Sequence, residues 1–391
     1  MTMQRFACTV LTCLVCGLPR AAAAQETIQE ILSFLLTTQS IPTDDFVKDT
    51  EAADATRDTI SRALLVELAA LPLGSSSAGF AYRFNPSLGT VERASASFGP
   101  FFTERAETIG RGHGEFGVAF RHASFDQLDG KDLRDGTLVT TANRFSDEER
   151  PFDVETLSLR LRSSATTVFA SYGVTPRLDL GAAVPIVQLR VDGERVDTYR
   201  GRVFVQSRAS AYATGLGDIA LRAKYQVVRQ RAGGIAVAAD LRLPTGREED
   251  LLGAGDAAVK LFMIGSLEGH RMTGHANVGY TAGGAASETT YGVAGTVAAT
   301  PRLTLIGELL GRSTAGLGSI AEAAAQHPSL LGVETIRLVA DESRTRQAFA
   351  IAGIKWNLGR SWLLTTNVLI PMTTGGLTAK VVPTIAVEYA L

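Results

Sequence analysis

From residue 77 to residue 391, apolar residues recur at every second position, segment after segment. In 218–227, Ile219, Leu221, Ala223, Tyr225 and Val227 alternate with Asp218, Ala220, Arg222, Lys224 and Gln226. In 235–243, Ile235, Val237, Ala239, Leu241 and Leu243 alternate with Ala236, Ala238, Asp240 and Arg242. Leu157, Leu159 and Leu161 are set against Ser158, Arg160 and Arg162. The last stretch places Val381, Pro383, Ile385, Val387, Tyr389 and Leu391 on one row. Lys380, Thr384, Ala386, Glu388 and Ala390 share the other, with Val382 as its one large apolar member. Successive side chains of a strand point to opposite faces, so each segment reads as a β-strand with one apolar and one polar or small face.

A soluble sandwich produces the same alternation; strand length and the connections separate the two cases. Fourteen segments can be marked, near 77–84, 90–107, 113–125, 154–173, 177–191, 215–229, 233–244, 255–266, 270–282, 289–299, 302–312, 346–357, 361–370 and 378–391. Most reach the length of a tilted membrane-spanning strand and exceed the usual soluble strand. Short connections alternate with long ones at 126–153, 192–214, 245–254 and 313–345, as in transmembrane barrels. In hydrocarbon an open sheet edge leaves amides that water cannot reach, so only a closed barrel is viable. The expected fold is all-β, an antiparallel transmembrane β-barrel of 12–14 strands, with 14 favoured. Twelve results if the short first segment belongs to a hairpin inside the barrel.

The pattern before residue 77 is different. Residues 26–38 and 52–72 have helical spacing, with Ile60, Leu64, Leu68 and Leu71 on one stripe, and the Pro- and Asp-rich 40–49 breaks them. We therefore expect a helical cap or plug over 25–76 and a barrel over 77–391. Residues 1–24 read as a cleaved export signal: a basic start, an apolar stretch and the small-residue site AAAA before Gln25. Cys8, Cys13 and Cys16 all lie within it, so the expected mature chain lacks thiols and Cys-based metal sites. A formal net charge of −2 gives no basic excess for nucleic acid.

In such a barrel the apolar row meets lipid and the charged row the lumen. The lumen-facing candidates are Arg160, Arg162, Arg177, Asp179, Arg222, Lys224, Asp240, Arg242, Asp256, Lys260, Glu308, Lys355, Lys380 and Glu388. Tyr82, Phe84, Tyr225, Tyr280, Tyr291, Trp356, Trp362 and Tyr389 are candidates for an interfacial aromatic belt. His113, His122, His270, His275 and His327 show no metal-ligand spacing, and no cofactor or metal is expected. Asp126, Asp129, Asp132 and Asp135 recur at intervals of three without the rhythm of a Ca²⁺ loop, so they read as turn acids. One pair looks like an enzyme: His122 and Ser124 share a strand face, and a base beside a hydroxyl activates a serine nucleophile.

Residues 108–133, 172–191, 215–226 and 243–246 resemble a family of outer-membrane barrels labelled phenol meta-pathway degradation proteins. More distantly, the chain is similar to outer-membrane channels for fatty acids and aromatic hydrocarbons, which carry an N-terminal plug. The channels' Asn-Pro-Ala plug motif is matched only by Asn85-Pro86-Ser87, better read as a hairpin turn. The resemblance implies a Gram-negative outer-membrane channel or facilitator for small, hydrophobic or aromatic molecules, with no catalytic motif. The expected partners are outer-membrane lipid and lipopolysaccharide, a small-molecule substrate, and the outer-membrane assembly machinery, which would recognise the last strand. A structural or surface-interaction barrel with a filled lumen is the alternative, and a lipase using His122 and Ser124 the third reading.

Overall fold

The computed structural model describes residues 26–37, 49–69, 74–75, 79, 82–85, 90–93, 95–230, 232–269, 271–315, 320–341, 343–359 and 361–391. The expected export signal at 1–24, the break at 40–48, Leu71, Pro86, Ser87 and His270 lie outside the described residues. Two helices, α1 (Ile28–Thr37) and α2 (Thr50–Ala69), come first. Neither is long and apolar enough to cross a membrane.

Twelve strands then form a closed antiparallel ring. They are β1 (Gly114–Leu128), β2 (Asp153–Gly173), β3 (Leu178–Tyr199), β4 (Ile219–Gln230), β5 (Gly233–Leu243) and β6 (Ala258–Glu268). The second half is β7 (Met272–Gly283), β8 (Glu288–Thr300), β9 (Leu303–Thr314), β10 (Thr345–Gly359), β11 (Trp362–Pro371) and β12 (Val382–Ala390). Each pairs with its neighbour in this order, and β12 closes on β1, with Tyr389 opposite Phe116 and Thr384 opposite Arg121. The ring leaves no strand edge open at membrane depth, which is what hydrocarbon demands.

The favoured fourteen strands are corrected to twelve. Among the described residues, 82–85 and 90–93 pair with each other and with no barrel strand, and 95–109 run through the lumen as an irregular strap. Phe98, Phe101, Ala106 and Ile109 are buried there, so apolar spacing that looked like a strand reports packing inside the barrel. Tyr82 and Phe84 accordingly belong to that small hairpin and not to a belt on the barrel.

The lower wall alternates as lipid requires. Leu221, Tyr225, Val227, Ile235, Val237, Leu261, Val293, Leu305, Ile385 and Val387 are exposed outward, while Lys224, Asp240, Glu308, Lys355 and Glu388 are buried inside. Near the short-turn end, Trp362 lies 4.8 Å from Tyr389, and Phe116 lies 5.5 Å from the same ring, an aromatic cluster of interfacial type.

Above the opposite end the wall continues on one side only. β2 and β3 have 21 and 22 residues, about twice the span a bilayer needs. Their upper halves join strands 202–216, 138–145, 333–340 and 320–326 in a curved crown. The expected long loops at 126–153, 192–214 and 313–345 are therefore largely sheet. The crown cradles the helices. Thr27 and Glu30 exchange the two bonds of a capping box at the start of α1, and Asp49 caps α2 through the Ala52 amide. Leu35 packs on Gly193 and Leu159, at a place where a larger residue than glycine would collide with it. Thr56 of α2 donates to Thr140 O at 3.1 Å and accepts from the Leu338 amide at 3.2 Å, which docks the helix on two crown strands.

This crown explains a misplaced pair. Leu157, Leu159 and Leu161 face inward onto the helices, so Arg160 and Arg162 point outward, and Arg162 sits 3.3 Å from Asp192. Beyond the membrane the outer medium is water, so the polar row turns out and the apolar row turns in.

Behind α1 lies a buried acidic cluster, Asp153, Glu155 and Asp197, with Arg195. Arg195 reaches Glu155 at 3.7 Å and donates to Leu36 O at 3.1 Å. These groups sit in the halves of β2 and β3 that extend past the span. Burial, then hydrogen bonding and repulsion from Asp153, push the Asp197 carboxyl up to about 9, against the pull of Arg195. A folded-state value above the unfolded one means the folded crown holds the proton more tightly. Its contribution is complete below the unfolded value near ~4 and is lost as pH rises through about 9. Protease cleavage of the helical segment should therefore be faster at alkaline than at neutral pH. An Asp197→Asn chain should lose most of that difference; an unchanged pH profile in the variant would refute the assignment.

Candidate functional site

Inside the ring, the strap is held by side chains from five different strands. Glu308 of β9 receives the backbone amides of Phe101, Phe102 and Thr103 and the Thr103 hydroxyl. Three consecutive amides turned onto one anion form a nest. Lys355 of β10 donates to Pro100 O at 3.1 Å. Lys224 of β4 donates to Glu107 O at 2.9 Å and Arg105 O at 3.3 Å, and lies 3.5 Å from both Glu104 and Asp179. Asp179 of β3 takes the Ile109 amide at 3.0 Å, and Ser266 of β6 the Ala106 amide at 2.8 Å. Thr304 of β9 accepts from the Phe98 amide at 3.1 Å.

Arg222 links wall to strap. Its guanidinium forks onto Asp240 with two bonds of 2.6 Å, and its remaining nitrogen reaches Glu104 of the strap and Gly74 O. The fork matches a carboxylate with both oxygens engaged. A second clamp joins α2 to the wall: Glu67 receives Arg312 and, at 3.1 Å, Gln347.

Among the described residues, three larger cavities lie along the lumen. The first, of about 150 Å³, is lined among others by Glu67, Phe102, Arg121, Phe125, Arg242, Lys260, Phe262 and Phe349. The second, of about 180 Å³, runs toward the short-turn end past Phe101, Ser171, Lys355, Asn367 and Glu388. A third, of about 60 Å³, lies at the rim beneath the crown against Val66, Asp218, Ala254 and Gly284. Neighbouring cavities share walls: Phe102, Arg121, Arg222 and Arg242 border the first two. Asp240, Arg242, Lys260 and Glu288 border the first and the third. The three thus form a chain down the lumen.

Of the residues expected in the lumen, Asp179, Lys224, Asp240, Glu308, Lys355 and Glu388 are buried there. Arg222, Arg242 and Lys260 line its cavities, and Asp256 lies on the third at the rim. Four are placed elsewhere. Arg160 and Arg162 face out from the crown, Arg177 is exposed in the turn before β3, and Lys380 is exposed in the bend before β12. Arg121, Arg312, Glu67 and Glu104 belong to the site without having been singled out. Glu67 had a legible signal, since it falls on the same helical stripe as Ile60 and Leu64.

The other sequence motifs have local roles. His122 contacts Ser164 at 2.9 Å, while the Ser124 hydroxyl accepts from Arg134 at 2.5 Å, so the two do not form a base–nucleophile contact. Asp126, Asp129 and Asp132 accept backbone amides of Lys380, Gly376 and Arg134. Glu107, Glu268 and His275 come together near the short-turn end, a grouping no sequence spacing announces. Both His275 nitrogens there meet hydroxyls, of Ser266 and Thr273, at 2.8 Å.

A closed twelve-strand ring with a lipid-type outer face and a strap threaded through its polar lumen defines an outer-membrane β-barrel. Residues 142–373 match the family described as "Putative MetA-pathway of phenol degradation", and the chain belongs to that family. Several solved structures are similar to the chain at low identity. An outer-membrane channel from Pseudomonas putida F1 is 14% identical, with a TM-score of 0.46 over 73% of this chain and 98% of that one. The Pseudomonas putida toluene transporter TodX is 11% identical, with a TM-score of 0.36 over 72% and 90%. The outer membrane protease OmpT of Escherichia coli is 10% identical, with a TM-score of 0.29 over 73% and 100%. No curated protein matches the chain.

Proposed function

We propose that the protein is a gated channel of the Gram-negative outer membrane that admits small molecules, with the short turns in the periplasm and the crown outside. The observation that carries this reading is the chain of cavities through the lumen, each sharing walls with the next. A barrel built only as a structural element has no need of a continuous series of cavities lined with ionic side chains. The family description and the toluene transporter among the similar folds agree with a cargo of small aromatic compounds. In this mechanism the solute enters beneath the crown, occupies the first cavity and waits on the strap. The protein carries out no bond-making step. Displacing the strap joins the first two cavities, and the solute diffuses toward the short-turn end.

Phe102 is the narrowest claim of this mechanism, because its ring borders the two larger cavities at once. Phe102→Ala should merge them and raise the flux of small uncharged solutes into proteoliposomes several-fold. The barrel itself should stay intact, since Phe102 is only half-buried. Equal flux in parent and variant would count against the strap as the gate. Absence of any flux or current in both would favour a filled structural barrel.

A further inference from the structure

The first cavity holds an asymmetry of charge. Arg121, Arg222, Arg242, Lys260 and Arg312 line it, against Glu67, Glu104, Asp240 and Glu288. Three of these acids are engaged elsewhere. Asp240 gives both oxygens to Arg222, which also binds Glu104. Glu67 is held by Arg312, which lies 3.6 Å from Glu288. Lys260 faces Asp240 across the β5–β6 ladder, so Asp240 would be its natural partner, but the Arg222 fork has taken that carboxylate. Among the described residues no carboxylate lies within ion-pair distance of Lys260, and its ammonium stands 5.6 Å from the centre of the Phe262 ring. An ammonium drawn largely out of water needs an anion to offset its desolvation.

The rest of the wall selects the anion's shape. Phe102, Phe125, Phe262 and Phe349 turn apolar rings to the same space, with Leu310, Leu369 and Leu377 beside them. Its volume is about 150 Å³, and an apolar cavity of about 150 Å³ accommodates a benzene ring.

We infer that this cavity binds a small aromatic monocarboxylate, the ring among the phenylalanines and the carboxylate on Lys260. Arg121 and Arg242 add positive potential on the same side. The inference rests on the channel reading and names its class of cargo. Glu288, which lines the same cavity and lies 3.6 Å from Arg312, is the competitor for Lys260.

Isothermal titration of benzoate into the full-length protein in detergent tests it, with benzyl alcohol and acetate as probes lacking the charge or the ring. Benzoate should bind more tightly than either. Lys260→Gln should weaken it by about tenfold or more, the scale of a lost charge-assisted bond. Lys260→Arg should restore most of the affinity, and Glu288→Gln should raise it. No benzoate binding by the folded parent, equal binding by Lys260→Gln, or benzyl alcohol binding as tightly would overturn the inference. Current in planar bilayers without benzoate binding would remove this inference and leave the channel standing. Benzoate binding by a barrel that never conducts would do the reverse.

Discussion

Glu308→Ala should free the strap and convert a mostly closed barrel into a mostly open one. The carboxylate is the common acceptor for three consecutive amides and a hydroxyl, and it is almost wholly buried. Alanine leaves those amides facing an apolar gap. At about 1–3 kcal/mol for each buried donor left unsatisfied, the docked strap loses about 3 kcal/mol or more. That is a shift of more than about a hundredfold in the ratio of docked to undocked strap. Single-channel recording should show a much higher open probability, and protease should cut within 95–109 in the variant only. Glu308→Gln retains one acceptor oxygen and should fall between. The barrel's own ladders do not involve this side chain, so its resistance to urea should change little. A current unchanged by Glu308→Ala would show that the strap is not the barrier.

The second large effect is expected at Arg222. Removing it as Arg222→Met strands Asp240 and Glu104, buried at 4% and 1% exposure, without their shared cation. Breaking a buried pair by deleting one partner costs about 3–5 kcal/mol. Lys224, 3.5 Å from Glu104, offsets part of this, so the lower end is the expected value. Unlike Glu308→Ala, this variant loads the wall as well as the strap, so the urea midpoint should fall with the rise in current. Neutralising both acids in the same chain, with Asp240→Asn and Glu104→Gln, should recover most of the loss, because it removes the uncompensated charge. A triple variant no more stable than Arg222→Met would show that Arg222 acts by packing alone.

Much of the ring was legible because lipid imposes one rule on every strand. In β4 the alternation sorts Leu221, Tyr225 and Val227 to the outside and Arg222, Lys224 and Gln226 to the inside, as the structure has them. The same alternation misleads at Leu157–Arg162. Periodicity names two faces but not the medium that each face meets, and above the membrane the outer medium is water. The strap was illegible for a different reason. Its partners lie far away in the chain, with Glu308 more than two hundred residues from Phe101 and Lys224 more than one hundred from Glu107. No local pattern encodes such contacts, and its buried apolar residues imitate a strand. The Lys260 cavity depends instead on a choice between neighbouring strands: Asp240 lies opposite both Arg222 and Lys260, and among the described residues Lys260 is left without an acid only because Arg222 has claimed it.

The central claim is that the strap blocks the lumen and must leave for solute to pass. Ala106 and Ser266, joined by a 2.8 Å bond between strap and wall, can each be replaced by cysteine in a chain that begins at Gln25 and so has no other cysteine. Planar-bilayer current through this double variant, recorded oxidised and then reduced, tests the claim most directly, with mass spectrometry confirming the cross-link. The account predicts no current while the strap is tied down and openings that return on reduction. Equal current in the two states would contradict it.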